Sequence, residues 1–229
     1  MQLSVRDAAE LLRTPEEKIY RWVGDGELPC YWVGEQARFN RTELLEWATA
    51  RRMPVAVELF RDEDEGGARL PSLVEALSAG GVHRDVGGND RESVLRSIVG
   101  LMRLPDDMDR ETLVQVLLAR EAAGSTAVGD GIAIPHVRQP IAVSGCPAAI
   151  ALCLLAKPVE FGAADRRAVH TLFTMVSPTI HIHLQLLAKL SSALHDSAFR
   201  ATVLGRAPTD EILREVARVE AGFPPPLST

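Results

Sequence analysis

The stretch GSTAVGDGIAIPHVR, Gly124 to Arg138, decides how this chain is read. Three glycines and two hydroxyl residues lead into a short apolar run that stops at Pro135-His136. Proline has no amide proton to give to a β-ladder, so regular pairing ends there. The histidine after it stands where a strand gives way to a loop, a place where reactive side chains are commonly displayed. From the residues alone, His136 reads either as such a displayed group or as a structural histidine.

Outward from this stretch, the pattern downstream of Leu70 mixes helices and strands. Helices are expected over 72–79, 90–103 and 109–122, then the glycine-rich loop and the strand that ends at His136. Strands follow at 147–155 and 168–176, then an amphipathic helix over 179–195 and two more helices ending near Ala221. The apolar run CPAAIALCLLA, Cys146 to Ala156, is too short to span a bilayer and suits a strand buried on both faces. The whole reads as a layered α/β domain over 70–221. The tail over 222–229, GFPPPLST, is expected to be disordered.

Upstream, residues 1–52 read as three short helices and a hairpin. Ser4 with Asp7 starts the first helix. Thr14-Pro15-Glu16-Glu17 looks like a capping box with proline at the first helical position, one or two residues after the first helix. GDGELPCYWVGEQARFN alternates around Gly34 like a two-stranded wing, and Asn40 with Glu43 caps a third helix. Residues 53–69, which include the charged glycine-containing run RDEDEGGAR, read as a linker.

The 229 residues carry a net charge of −6, so nothing global points to a polyanionic partner. No basic-plus-apolar leader follows Met1. Cys30, Cys146 and Cys153 are an odd, widely spaced set without a CxxC pair, which argues against disulfides and a zinc knuckle. A cytoplasmic chain with no metal, no cofactor and no membrane insertion is expected.

Six histidines need sorting. His83 and His195 sit among polar neighbours and read as surface residues, and His170 within its strand reads as structural. His181 and His183 differ by about 200° around a helix and cannot share a face. The stripe His183, Leu187, Leu190, Leu194 follows the spacing of a buried face, so His183 heads that face. His181 points toward Gln185 and Ser192.

At this point a resemblance enters. LVQVLLAREAAGSTAVGDGIAIPH, KPVEFGAADRRAVHTLFTMVSP and HLQLLAKLSSAL resemble, in order, segments of enzyme IIA domains of the fructose–mannitol and nitrogen-regulatory class of the bacterial phosphotransferase system. The resemblance implies a mixed-sheet domain with helices on both faces. It implies that His136 accepts a phosphoryl group from the phosphocarrier protein HPr or a relative, with His183 as the second active-site histidine. It maps the family's arginine, sixteen residues before the acceptor, onto Arg120. A neutral imidazole nitrogen is a competent phosphoryl nucleophile. Arg120 offers a guanidinium fork, and Ser125 and Thr126 could add donors to the transferring oxygens. Read without the resemblance, Arg120 is a helix-end arginine in a surface ion pair.

LSVRDAAELLRTPEEKIYRWVGDGELP and VGEQARFNRTELLEW resemble the excisionase or MerR-like winged helix-turn-helix family. This implies DNA binding through Lys18, Arg21 and Arg38. Residues 1–52 hold eight Lys or Arg against nine Asp or Glu, and Glu16-Glu17 open the presumed recognition helix. With no recognisable IIB or IIC domain, the chain reads as a PtsN-like regulator that couples phosphohistidine formation to transcription. The alternative is a sugar-pathway phosphocarrier that passes phosphate to a separate IIB protein, its N-terminal module binding protein.

Overall fold

The computed structural model describes residues 2–60, 70–137 and 147–224. The N-terminal part runs β1 (Gln2–Leu3), α1 (Val5–Leu11), α2 (Glu16–Gly24), β2 (Tyr31–Val33), β3 (Gln36–Asn40) and α3 (Arg41–Ala50). Ser4 and Asp7 cap α1 reciprocally: the Asp7 amide donates to the Ser4 hydroxyl and the Ser4 amide to the Asp7 carboxylate. These bonds hold the Asp7 carboxyl below its ordinary range. The expected Thr14 box does not form. Pro15 is itself the N-cap, with extended backbone and no side-chain cap bond. Helix α2 therefore begins at Glu16, and the α1–α2 connection is longer than the one or two residues expected. The hairpin turns at Gly34, whose φ of +61° suits glycine. Strand β3 pairs with both β2 and β1, so the wing belongs to a three-stranded sheet rather than a two-stranded one.

Residues 53–60 were expected to be linker, but Val55, Val57 and Phe60 are buried. Val57–Phe60 form a 3-10 helix. The charged run over 61–69 lies outside the described residues.

The second part runs α4 (Leu73–Gly80), β4 (Val82–Val86), α5 (Arg91–Leu101), α6 (Arg110–Ala122), β5 (Ala127–Gly129), β6 (Ile132–Ala133), β7 (Ala149–Val159) and β8 (Val169–Val176). Helices α7 (Ile180–Ala193), α8 (Ser197–Leu204) and α9 (Thr209–Ala221) complete it. The five strands form one mixed sheet in the order β4-β7-β8-β6-β5. Central β7 is buried from Ala149 to Leu155, as its continuous apolar run requires. Its alternation divides the core. Ile150, Leu152 and Leu154 join the layer with α4, α7 and α9, while Ala149, Ala151 and Cys153 join the layer with α5 and α6. Helices thus cover both faces. Cys30 and Cys153 are free thiols, and burial pushes the Cys153 thiol up to about 12.

Helix α7 departs from the amphipathic expectation because it is buried nearly all round. Gln185 is 2% exposed, although it was expected on the face away from the buried stripe, and Ser191 and Lys189 are buried as well. Leucines of α7 share a core with Ile150, Leu152 and Phe173 of the sheet, and α3 with the 3-10 helix packs against α7 as well. The core of residues 3–60 is therefore continuous with the α7 layer of the sheet.

Candidate functional site

The GDG turn delivers the site. Gly129, Asp130 and Gly131 all have positive φ, between +51° and +82°, and a β-carbon on Gly131 would lie 2.4 Å from His170 Nε2. This compact left-handed turn starts β6 beside β8, to which it runs parallel. Pro135 donates nothing, yet its carbonyl accepts from the Met175 amide at 2.9 Å, which pins the chain one residue before His136. The imidazole of His136 then folds back, and Nδ1 donates to the Ile134 carbonyl at 2.6 Å. A carbonyl only accepts, so this bond places a proton on Nδ1 and leaves Nε2 outside it.

His183 meets it from the first turn of α7. The two rings lie 5.3 Å apart between centroids, tilted by 40°. Thr179, the α7 N-cap, accepts from the Ile182 amide and fixes the start of the helix. His183 is 1% exposed, and neither of its ring nitrogens has a hydrogen-bond partner among the described residues. Burial above all, then the neighbouring His136, hold its pKa down at about 3, against a smaller opposing influence of Glu46. The ring is neutral and keeps one N–H to offer.

Arg120, in the last turn of α6, donates from Nη1 to the Gly124 carbonyl at 2.8 Å, which orients its fork. The three residues expected to act together do meet around one point. The two hydroxyls do not present their protons there. Ser125 donates to the Phe161 carbonyl, and Thr126 donates to the buried Glu121 carboxylate.

Glu46, on α3, was not foreseen. One of its oxygens lies 3.3 Å from His136 Nε2 and the other 3.0 Å from Arg120 Nη2, with its side chain 5% exposed. In the sequence Glu46 stands among the apolar Leu44, Leu45, Trp47 and Ala48, all buried, which marks a carboxylate set in an apolar run but names no partner for it. His195 is exposed, as its polar neighbours suggested, and its Nε2 bonds to the Arg52 carbonyl at 2.6 Å, at the edge of the same junction. Arg52 in turn pairs with Asp130 at 2.7 Å.

Lys18, Arg21 and Arg38 lie away from this cluster. Lys18 and Arg21 are exposed on α2, where Lys18 stands over the Trp22 ring, and Arg38 on β3 bonds to Gln36. No helix among the described residues is long and apolar enough to cross a membrane.

Comparisons with known proteins agree with this layout. Residues 75–218 match the family profile described as phosphoenolpyruvate-dependent sugar phosphotransferase system, EIIA 2, and residues 3–52 match a helix-turn-helix domain profile. A nitrogen regulatory protein of Pseudomonas aeruginosa is 38% identical over 149 residues, covering 63% of this chain and 93% of that protein. A fructose-specific EIIABC component of Bacillus subtilis is 26% identical over 145 residues, covering 62% of this chain but only 22% of that protein. The crystal structure of nitrogen regulatory protein IIA-Ntr from Neisseria meningitidis superposes with a TM-score of 0.55 at 23% identity. It covers 63% of this chain and 98% of that one, and it shares the fold.

Proposed function

Because this chain belongs to the phosphoenolpyruvate-dependent sugar phosphotransferase system EIIA 2 family, we propose that it is a regulatory phosphocarrier whose His136 accepts a phosphoryl group at Nε2 from an HPr-like donor protein. The observation that carries this reading is the bond from His136 Nδ1 to the Ile134 carbonyl, which leaves Nε2 facing the Glu46 carboxylate that Arg120 also holds, with the His183 ring 5.3 Å from that of His136. The Nε2 lone pair forms the new P–N bond, and the electron pair of the broken bond leaves with the donor. The charge spreads over three phosphoryl oxygens, and the Arg120 guanidinium and a His183 N–H stabilise it.

Likeness to the nitrogen regulatory protein of Pseudomonas aeruginosa supports a regulatory role, with the helix-turn-helix module as the output and DNA or a target protein as its partner. Likeness to the fructose-specific component supports a second reading, in which phosphate passes on to a separate IIB protein. Incubation with phosphorylated HPr-like donor tests the site. The expected product is one acid-labile phosphate, absent in His136→Ala. His183→Ala and Arg120→Ala are expected to be labelled about 10²-fold more slowly, the scale for loss of one preorganised donor. Full labelling of His136→Ala overturns the assignment. Transfer from the labelled protein to a IIB partner would decide for the second reading.

A further inference from the structure

The acceptor just described is closed. A histidine that must meet a donor protein is 3% exposed, and a carboxylate from the helix-turn-helix module stands at its reactive nitrogen. We infer that Glu46 is an intramolecular stand-in for the phosphoryl group, and that docking of α3 and phosphorylation of His136 exclude each other, so that phosphorylation releases the N-terminal module. The inference rests on the acceptor reading above.

Three observations carry it. First, Glu46 makes the contacts a phosphoryl group needs: one oxygen on His136 Nε2, the other on Arg120. A hydrogen bond between a ring nitrogen and a carboxylate requires a proton at one of the two atoms. Whichever atom holds that proton, the Nε2 lone pair is engaged and cannot attack phosphorus. Second, the carboxylate fills the anion site incompletely. Both ring nitrogens of His183 and Nε of Arg120 are buried without partners among the described residues. A phosphoryl group has three oxygens where a carboxylate has two, and the third can reach a donor that Glu46 leaves unused. Third, the interface is incompletely filled beside the contact. A cavity of about 70 Å³ lies between the modules, lined by Thr49 and Arg52 from one side and Ile134, Ser191 and Leu194 from the other. The Thr49 hydroxyl there has no partner among the described residues. Such a junction costs less to open than a filled core.

When the carboxylate withdraws, the proton held between it and Nε2 passes to solvent and the lone pair is freed. Transfer then forms the P–N bond and breaks the bond from phosphorus to the donor. The dianionic group and the Glu46 carboxylate cannot share one site, so α3 stays out while the phosphate is present. Helix α2 is exposed in the docked arrangement, with Ile19 its one buried residue, so release changes the tethering of the module rather than uncovering α2.

The test compares labelling of the wild type with Glu46→Ala and, as a second variant that loosens the same interface through Asp130, Arg52→Ala. If only the undocked fraction reacts, the rate scales with that fraction, and both variants are expected to be labelled at least about tenfold faster. A reporter, Thr49→Cys, is expected to react slowly with maleimide before phosphorylation and at least about tenfold faster after it, read by peptide mass spectrometry at that position. Equal labelling rates in wild type and both variants, or a Thr49→Cys thiol equally shielded before and after, overturn this inference and leave the acceptor reading intact. Absence of label on the wild type and the variants alike overturns both.

Discussion

His183 shows at the residue scale how burial sets chemistry. Water is excluded from its ring, and the neighbouring His136 and Arg120 also oppose a proton there, while Glu46 favours one. An unfolded histidine titrates near 6.5, and this one near 3. Between these values the unfolded chain binds a proton that the native ring refuses. This group's contribution to stability is therefore intact above about pH 6.5 and is lost as pH falls through the window, by up to about 1.4 kcal/mol per pH unit. An NMR titration of the folded protein is expected to find the His183 ring neutral at pH 5, and a midpoint near 6.5 would contradict it. The place of His183 on the buried stripe was legible from spacing alone, while the Pro135 break placed His136 at a strand end without deciding its role. Glu46 was not legible, because nothing local tells a carboxylate on a short helix that its partners lie 74 and 90 residues away.

Elements were legible where pattern and partner coincide. The apolar run of β7 needs apolar layers above and below, and it has them. Edge strand β4 went unforeseen, since only Val86 of VHRDV is buried and the stretch carries no alternation to read. The polar face expected on α7 vanished because α3 and the 3-10 helix cover it, a tertiary fact absent from the periodicity of the helix itself. Helix α4 makes the tightest approach to the sheet. A β-carbon on Gly80 would lie 2.2 Å from the backbone carbonyl of Ile150, atoms that cannot turn aside. Gly80→Ala is expected to lower stability by about 1–3 kcal/mol or more, despite alanine's better helix propensity. Chemical denaturation reads this as a lower midpoint, and an unchanged midpoint would show that α4 can slide freely on β7.

At the scale of the whole molecule, charge limits what the first 52 residues do with DNA. Glu16 and Glu17 are exposed beside Lys18 and Arg21, so few cations reach a phosphate backbone together. Binding of duplex by one copy is expected to be weak, with a shallow salt dependence of about −0.9 in log K per log salt for each phosphate contacted. Anisotropy titrations at two salt concentrations check it, and tight, steeply salt-dependent binding by a monomer would contradict it. One consequence of the junction lies in mass action. Glu46 and His136 belong to the same polypeptide, so the local concentration of the carboxylate at the ring is set by the tether and not by how much protein is present. Diluting the protein weakens every encounter with a donor but leaves the closed state as populated as before. On the proposed acceptor role, a cell that makes more of this chain gains more acceptors, each closed by Glu46 to the same degree.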